Sequence, residues 1–243
     1  RIRVIDTPEP LPMMANWNFA LRQISPESTY CKVIHADDLM YPDCLRRMSD
    51  LASRESRVGL VGAARRTESG VDLYLDLGRH EECVFDGIAV GRFYLTGGRY
   101  LFGSPSNILM RSEDVRRRPA FYNENNIHAD AESCLEILAE ADFGYIAEPL
   151  TFTRHHDQSA TAHYSNAVSS AVHQYHVLRR FGDVFLDEPL RSEMRRYRTR
   201  KLYAAALRAV LEKGPGALGP IERSLAALGY SFRVIEMLQA LPF

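Results

Sequence analysis

Two adjacent carboxylates, Asp37 and Asp38, close the run Lys32-Val33-Ile34-His35-Ala36-Asp37-Asp38. Adjacent carboxylates repel each other and gain from a divalent cation held against something anionic. Hard oxygen ligands of this kind suit Mg²⁺ or Mn²⁺, which complete their coordination with substrate phosphates. The plainer reading is a solvated turn that caps the next helix. A second cluster, Arg154-His155-His156-Asp157, offers imidazoles that can ligate metal or bond phosphate, beside a guanidinium that can fork onto a diphosphate. As a polar surface loop it would need neither. Asp130, at the opening of a helix, is either an N-cap or a carboxylate with an oxygen free to act as a base.

The elements that would carry these groups follow from hydrophobic spacing. Residues 1–5 alternate basic and apolar and predict a short strand, followed by a proline-broken connection. Trp17, Ala20, Leu21 and Ile24 predict a helix over 17–24 with Asn16 as its N-cap. Residues 30–34 read as a strand that ends in the acidic pair. Pro42 and Asp43 then open a helix with Leu45, Met48 and Ala52 on one face, and 57–63 is a buried-type strand. Strand, acidic loop, helix and strand in that order form α/β grammar, in which ligands gather beyond the carboxyl ends of the strands.

Residues 65–105 read as irregular, with strand-like pieces at Leu73–Leu77 and Phe93–Leu95. Asn107–Arg111 reads as a strand, and a helix runs over about 130–141 with Gly144 just past its end. Short strands at 145–147 and 151–153 flank Glu148-Pro149. Beyond about residue 160 the pattern turns helical, over 162–181, 191–212 and a shorter apolar pair around Gly214–Gly219. The division is an α/β body at 1–158 and a helical C-terminal region at 159–243.

Composition narrows the function classes. The 243 residues carry a net charge of −1, which gives no global drive toward nucleic acid. No apolar run is long enough to span a bilayer. Four scattered cysteines, with no C-x-x-C pair, argue against a zinc ribbon or disulfide scaffold and fit a reducing, cytoplasmic setting. The stretch Arg191, Arg195, Arg196, Arg198, Arg200, Lys201 holds only Glu193 as a counter-charge. It reads as a solvated helix face or as a peripheral contact with anionic headgroups at the inner face of a membrane.

Four motifs in order resemble a family 2 glycosyltransferase of the GT-A fold: Asn16-Trp17-Asn18-Phe19-Ala20-Leu21; Lys32 through Pro42; Asp130-Ala131-Glu132; and Glu148-Pro149-Leu150 with Arg154-His155-His156-Asp157-Gln158-Ser159. The resemblance covers about residues 1–160 and implies a Rossmann-type mixed sheet. It implies that Asp37 and Asp38 hold Mn²⁺ or Mg²⁺ against the diphosphate of a nucleotide-sugar, with His156 near the same metal and Arg154 and Asn16 near the donor. Asp130 would be the base that deprotonates an acceptor hydroxyl, with inversion at the anomeric carbon. Glu132 is its rival, because Ala129 stands where an acid often precedes the base. The implied acceptor is a glycan, a lipid-linked sugar or another hydroxyl, as in cell-surface polysaccharide synthesis. His35 departs from the acidic or amide residue usual there. The chain enters the pattern at the family's third strand, so the first two strands are expected to be missing and residues 1–243 alone to be loosely folded and inactive.

Two other readings use the same residues. A metal-dependent hydrolase could be assembled from His35, Asp37, Asp38, His155 and His156 around a metal-bound water. A non-catalytic protein could keep the fold and bind a nucleotide-sugar without turning it over.

Overall fold

The computed structural model describes residues 2–7, 9–72, 82–154 and 166–233. Helices α1 (Met13–Leu21), α2 (Cys44–Arg54), α3 (Gly87–Leu95), α4 (Ser112–Arg116) and α5 (Ala129–Leu138) are interleaved with strands β1 (Tyr30–Cys31), β2 (Leu39–Met40), β3 (Val58–Thr67), β4 (Gly70–Asp72), β5 (Glu82–Phe85), β6 (Ile108–Arg111) and β7 (Asp142–Phe152). Helices α6 (Ala167–Phe185), α7 (Leu190–Lys213) and α8 (Leu218–Ala227) follow. The strands form one mixed sheet in the order β1-β6-β3-β7-β2, with β4 against β3 and β5 against β7. Its central pair, β3 and β7, is parallel, and the flanking pairings are antiparallel.

Strand β3 sits at the centre because nearly every residue from Val58 to Ala64 is apolar and fully buried. Alternation sends Val61 and Ala63 toward α2, where Met48, Leu51 and Ile146 meet them, and Leu60 toward the larger core. That core packs α1, α3, α5 and α6 against Ile108, Met110, Phe143 and Tyr145. A third cluster, around Val172, Leu202, Ala206 and Ile221, binds α6, α7 and α8 to one another. The body and the helical region meet closely where α3 crosses α6. A Cβ on Gly91 would stand 2.3 Å from the Phe185 ring, so only glycine lets these helices approach.

Several sequence expectations are corrected. Residues 2–5 form no strand, and Ile2 and Val4 are exposed, since alternation makes a strand only where a partner supplies the ladder. The first helix starts four residues earlier than expected, with Pro12 at its N-cap and Asn16 in its interior. Leu45 is exposed, and Cys44 and Leu51 take the buried stripe of α2 with Met48 and Ala52. Phe93–Leu95 is the last turn of α3 rather than a strand. Asp86 caps that helix by accepting from the Ala89 amide at 2.8 Å. Gly144 lies within β7, which runs unbroken through Glu148-Pro149, and the register shift between Ala63↔Ile146 and Ala64↔Pro149 is the irregularity that admits a proline. The piece expected at Leu73–Leu77 falls outside the described residues.

Candidate functional site

The topology carries the acidic loop to the carboxyl ends of the central strands. Strand β2 pairs with the last residues of β7 (Leu39↔Phe152, Met40↔Thr151), so residues 35–38 lie beside the end of that strand. Strand β6 is antiparallel to β3, which brings the turn Pro105–Asn107 to the same end. Side chains stitch the corner together. The Ser106 hydroxyl accepts from the His35 amide at 3.0 Å, and Asn107 Nδ2 donates to Thr151 Oγ1 at 3.0 Å. Lys32 Nζ donates to the Ser106 and Ile108 carbonyls at 2.6 and 3.2 Å, and burial pulls its pKa down to about 8.

Within this corner Asp38 is buried, with 2% of its side chain exposed. Its Oδ1 accepts from the Arg154 amide at 3.2 Å. Its Oδ2 is buried without a hydrogen-bond partner among the described residues, and so is Nε2 of His35. His35 Nδ1 lies 3.8 Å from that Oδ2. Buried polar atoms are almost always satisfied, and two orphans in one loop mark a place suited to an absent ligand. The donors are a carboxylate oxygen and an imidazole nitrogen, with Asp37 half-buried beside them. Among the described residues no three His, Cys, Asp or Glu side chains converge as a metal cage. The carboxylates fit a Mg²⁺ or Mn²⁺ held by one or two carboxylates and completed by phosphate oxygens, the usual habit of Mg²⁺, whereas the imidazole nitrogen is not a ligand of that kind.

A second group of residues links this loop to α5. The Trp17 ring stacks on His35 with centroids 4.9 Å apart and meets Tyr122 edge-on at 5.3 Å. Asn18 is buried and clamps the backbone of Tyr122 at both ends. Its Nδ2 donates to the carbonyl and its Oδ1 accepts from the amide, each at 2.8 Å. The first motif of the resemblance contains Asn18 without a role and gives the donor contact to Asn16. Asn16 is exposed on α1, whereas Met14, Asn18 and Leu21 form its buried side. An amide on an apolar stripe was the available signal.

The two candidate bases lie in the first turn of α5, whose N-cap position is His128 rather than Asp130. Asp130 is half-buried and accepts from the Tyr100 hydroxyl at Oδ2, 2.8 Å. Burial raises its pKa, and the bond from Tyr100 and bonds from backbone amides oppose the rise. Glu132 is buried and fully engaged. Asn123 reaches both of its oxygens, Asn126 donates to Oε2 at 2.7 Å, and His176 Nε2 meets Oε1 at 2.9 Å, with Arg180 on the same oxygen. Burial alone would raise its pKa, but these partners pull it down to about 2.

His155, His156 and Asp157 lie outside the described residues, so the fold brings together Asp37, Asp38 and the Arg154 backbone, while Asp130 is bonded to Tyr100 rather than to this loop. The basic stretch on α7 is partly engaged within the molecule. Arg191 and Arg195 pair with Asp183, and Arg198 donates to the Leu95 carbonyl at 3.3 Å. Among the described residues no helix is long and apolar enough to cross a membrane.

No family model and no curated protein matches the chain. Among solved structures it is similar to the crystal structure of S. aureus TarS 1–349 in complex with UDP-GlcNAc, with a TM-score of 0.52 at 14% identity. The match covers 93% of this chain, which spans 60% of the length of that one. TarS is a glycosyltransferase of GT-A-like fold. The likeness bears out the fold expected from the sequence, a mixed α/β sheet followed by a helical C-terminal region.

Proposed function

We propose that this chain belongs to a glycosyltransferase that moves a sugar from a nucleoside-diphosphate sugar to an acceptor hydroxyl, with metal assistance and inversion. The observation that carries the reading is the orphaned buried oxygen Asp38 Oδ2, with Asp37 and the Arg154 amide beside it, at the carboxyl end of a sheet with this fold. Asp38, with Asp37 beside it, would hold a divalent ion; when bound, that ion neutralises charge on the leaving diphosphate. Arg154, exposed next to Asp38, and His156 would add positive charge toward the same diphosphate. Asp130 would accept the proton of the attacking hydroxyl. Its pKa is raised, which favours proton uptake, whereas Glu132 already has donors on both oxygens. The acceptor is a glycan, a lipid-linked sugar or another hydroxyl compound, and the setting is the cytoplasm or the inner face of a membrane.

The test is binding and transfer with a panel of nucleotide-sugars, beginning with UDP-GlcNAc because the TarS structure holds it. Binding should require Mn²⁺ or Mg²⁺ and disappear in Asp38→Asn. Undiminished binding in excess chelator would remove the metal from the reading. Failure of every nucleotide-sugar to bind would remove the donor.

A further inference from the structure

Tyr100 has no role in the reading above, yet it is the side chain bonded to Asp130. We infer that Tyr100 is a positioning residue for Asp130, fixing one carboxylate oxygen so that the other meets the acceptor; this rests on the reading of Asp130 as the base. Three observations converge. The phenol donates to Oδ2 at 2.8 Å, within the normal range of an O–H···O bond. The ring is held on two sides, edge-on to Phe102 at 5.5 Å and tilted against Tyr94 at 6.1 Å. Tyr94 is itself anchored to the helical region, with its hydroxyl 2.9 Å from His173 Nε2 and accepting from Gln174 Nε2 at 3.0 Å. The donor therefore comes from a stack braced by α6, not from a mobile side chain.

The chemistry of such a contact is specific. Burial favours the protonated carboxyl of Asp130, a form useless as a base, and a hydrogen bond to the ionised form opposes this. Removing the phenol should make Asp130 harder to ionise and leave its carboxylate held by backbone amides alone. A residue that merely fills space would lower stability without moving a titration.

The experiment compares wild type with Tyr100→Phe in two measurements. The first follows the Asp130 side-chain carboxyl carbon by NMR over a pH series, with Asp130→Asn assigning the resonance. The expected result is a midpoint displaced to higher pH in Tyr100→Phe; an unchanged midpoint overturns the inference whether or not any sugar is transferred. The second follows transfer against pH at saturating donor. The acidic limb should move to higher pH by the same amount, with kcat reduced about tenfold at its plateau and donor KM little changed. A displaced NMR midpoint with an unmoved rate profile overturns the positioning role. Full activity in Asp130→Asn instead defeats the base assignment, which separates the two failures.

Discussion

Asp130 and Glu132 are separated by one residue on the first turn of α5, and their surroundings push them apart. Asp130 is half-buried and, among the described residues, receives one side-chain donor, the Tyr100 hydroxyl, and burial raises its pKa. Glu132 is buried, receives donors from Asn123, Asn126, His176 and Arg180, and is drawn down to about 2. Two carboxylates in one turn thus have opposite electrostatic surroundings. A carboxylate with a raised pKa and few donors can take up a proton; one saturated with donors fastens α5 to α6 and holds the turn in place.

The largest expected effect tests the first half of that contrast. Asp130→Asn should lower kcat by about 10²–10⁴-fold, the usual scale of general-base catalysis, with donor affinity kept. Steady-state transfer rates check this. If Asp130→Asn stays active while Glu132→Gln is inactive but fully folded, the roles are reversed.

The second half predicts a stability effect. Glu132→Gln leaves the Arg180 guanidinium with Glu136 as its remaining carboxylate and His176 with a weaker partner, and should cost about 2–3 kcal/mol in a denaturant titration through the loss of buried charge-assisted bonds. The same network has a pH signature. Glu132 titrates near 2 when folded and near 4.5 otherwise, so its contribution is present above 4.5 and lost as pH falls toward 2. Burial drives His173 down to about 3 from 6.5. The unfolded chain takes up that proton first, so stability also falls as pH drops from 6.5 toward 3. Melting temperature should therefore decline from about pH 6 downward, and Glu132→Gln should flatten the lower part of the curve. A melting temperature constant from pH 7 to 4 would contradict the network.

A third perturbation reaches Glu132 through the packing that presents its partners. His176 and Arg180 ride on α6, which is seated against α3 at the contact of Gly91 with Phe185. Gly91→Ala forces a methyl into that ring and should destabilise by about 1–3 kcal/mol without changing donor affinity. Equal stability would mean that α3 and α6 can shift apart freely.

How much of this was legible in the sequence depended on how local the cause was. Strand β3 announces itself by an unbroken apolar run, and α2 by its period with Pro42 and Asp43 in front. Helix α3 was hidden because its last residues, Phe93-Tyr94-Leu95, have strand-like composition, and the Asp86 cap seven residues earlier decides the matter. Pro149 looked like a break because the ladder irregularity that tolerates it belongs to the pairing with β3. At the site, Asp37 and Asp38 were legible as adjacent acids. The saturation of Glu132 was not, since His176 and Arg180 lie more than forty positions away and meet it only through the docking of α6. Glu132 and Asp130 differ by their partners, and nothing in Asp-Ala-Glu encodes partners.

The smallest effect on folding is expected at Asp38, although the carboxylate is as buried as Glu132. Its Oδ1 accepts one backbone amide and its Oδ2 has no hydrogen-bond partner among the described residues. Asp38→Asn keeps an oxygen for the Arg154 amide and relieves the crowding of two adjacent charges, so stability should change by less than about 1 kcal/mol, with a gain as readily as a loss. Function should respond in the opposite proportion, because the orphaned oxygen that costs the fold nothing to lose is the one that the proposed divalent ion would take. Paired denaturation and Mn²⁺-dependent nucleotide-sugar binding read both quantities on one sample. A loss of several kcal/mol with binding intact would show that Asp38, like Glu132, belongs to the scaffold.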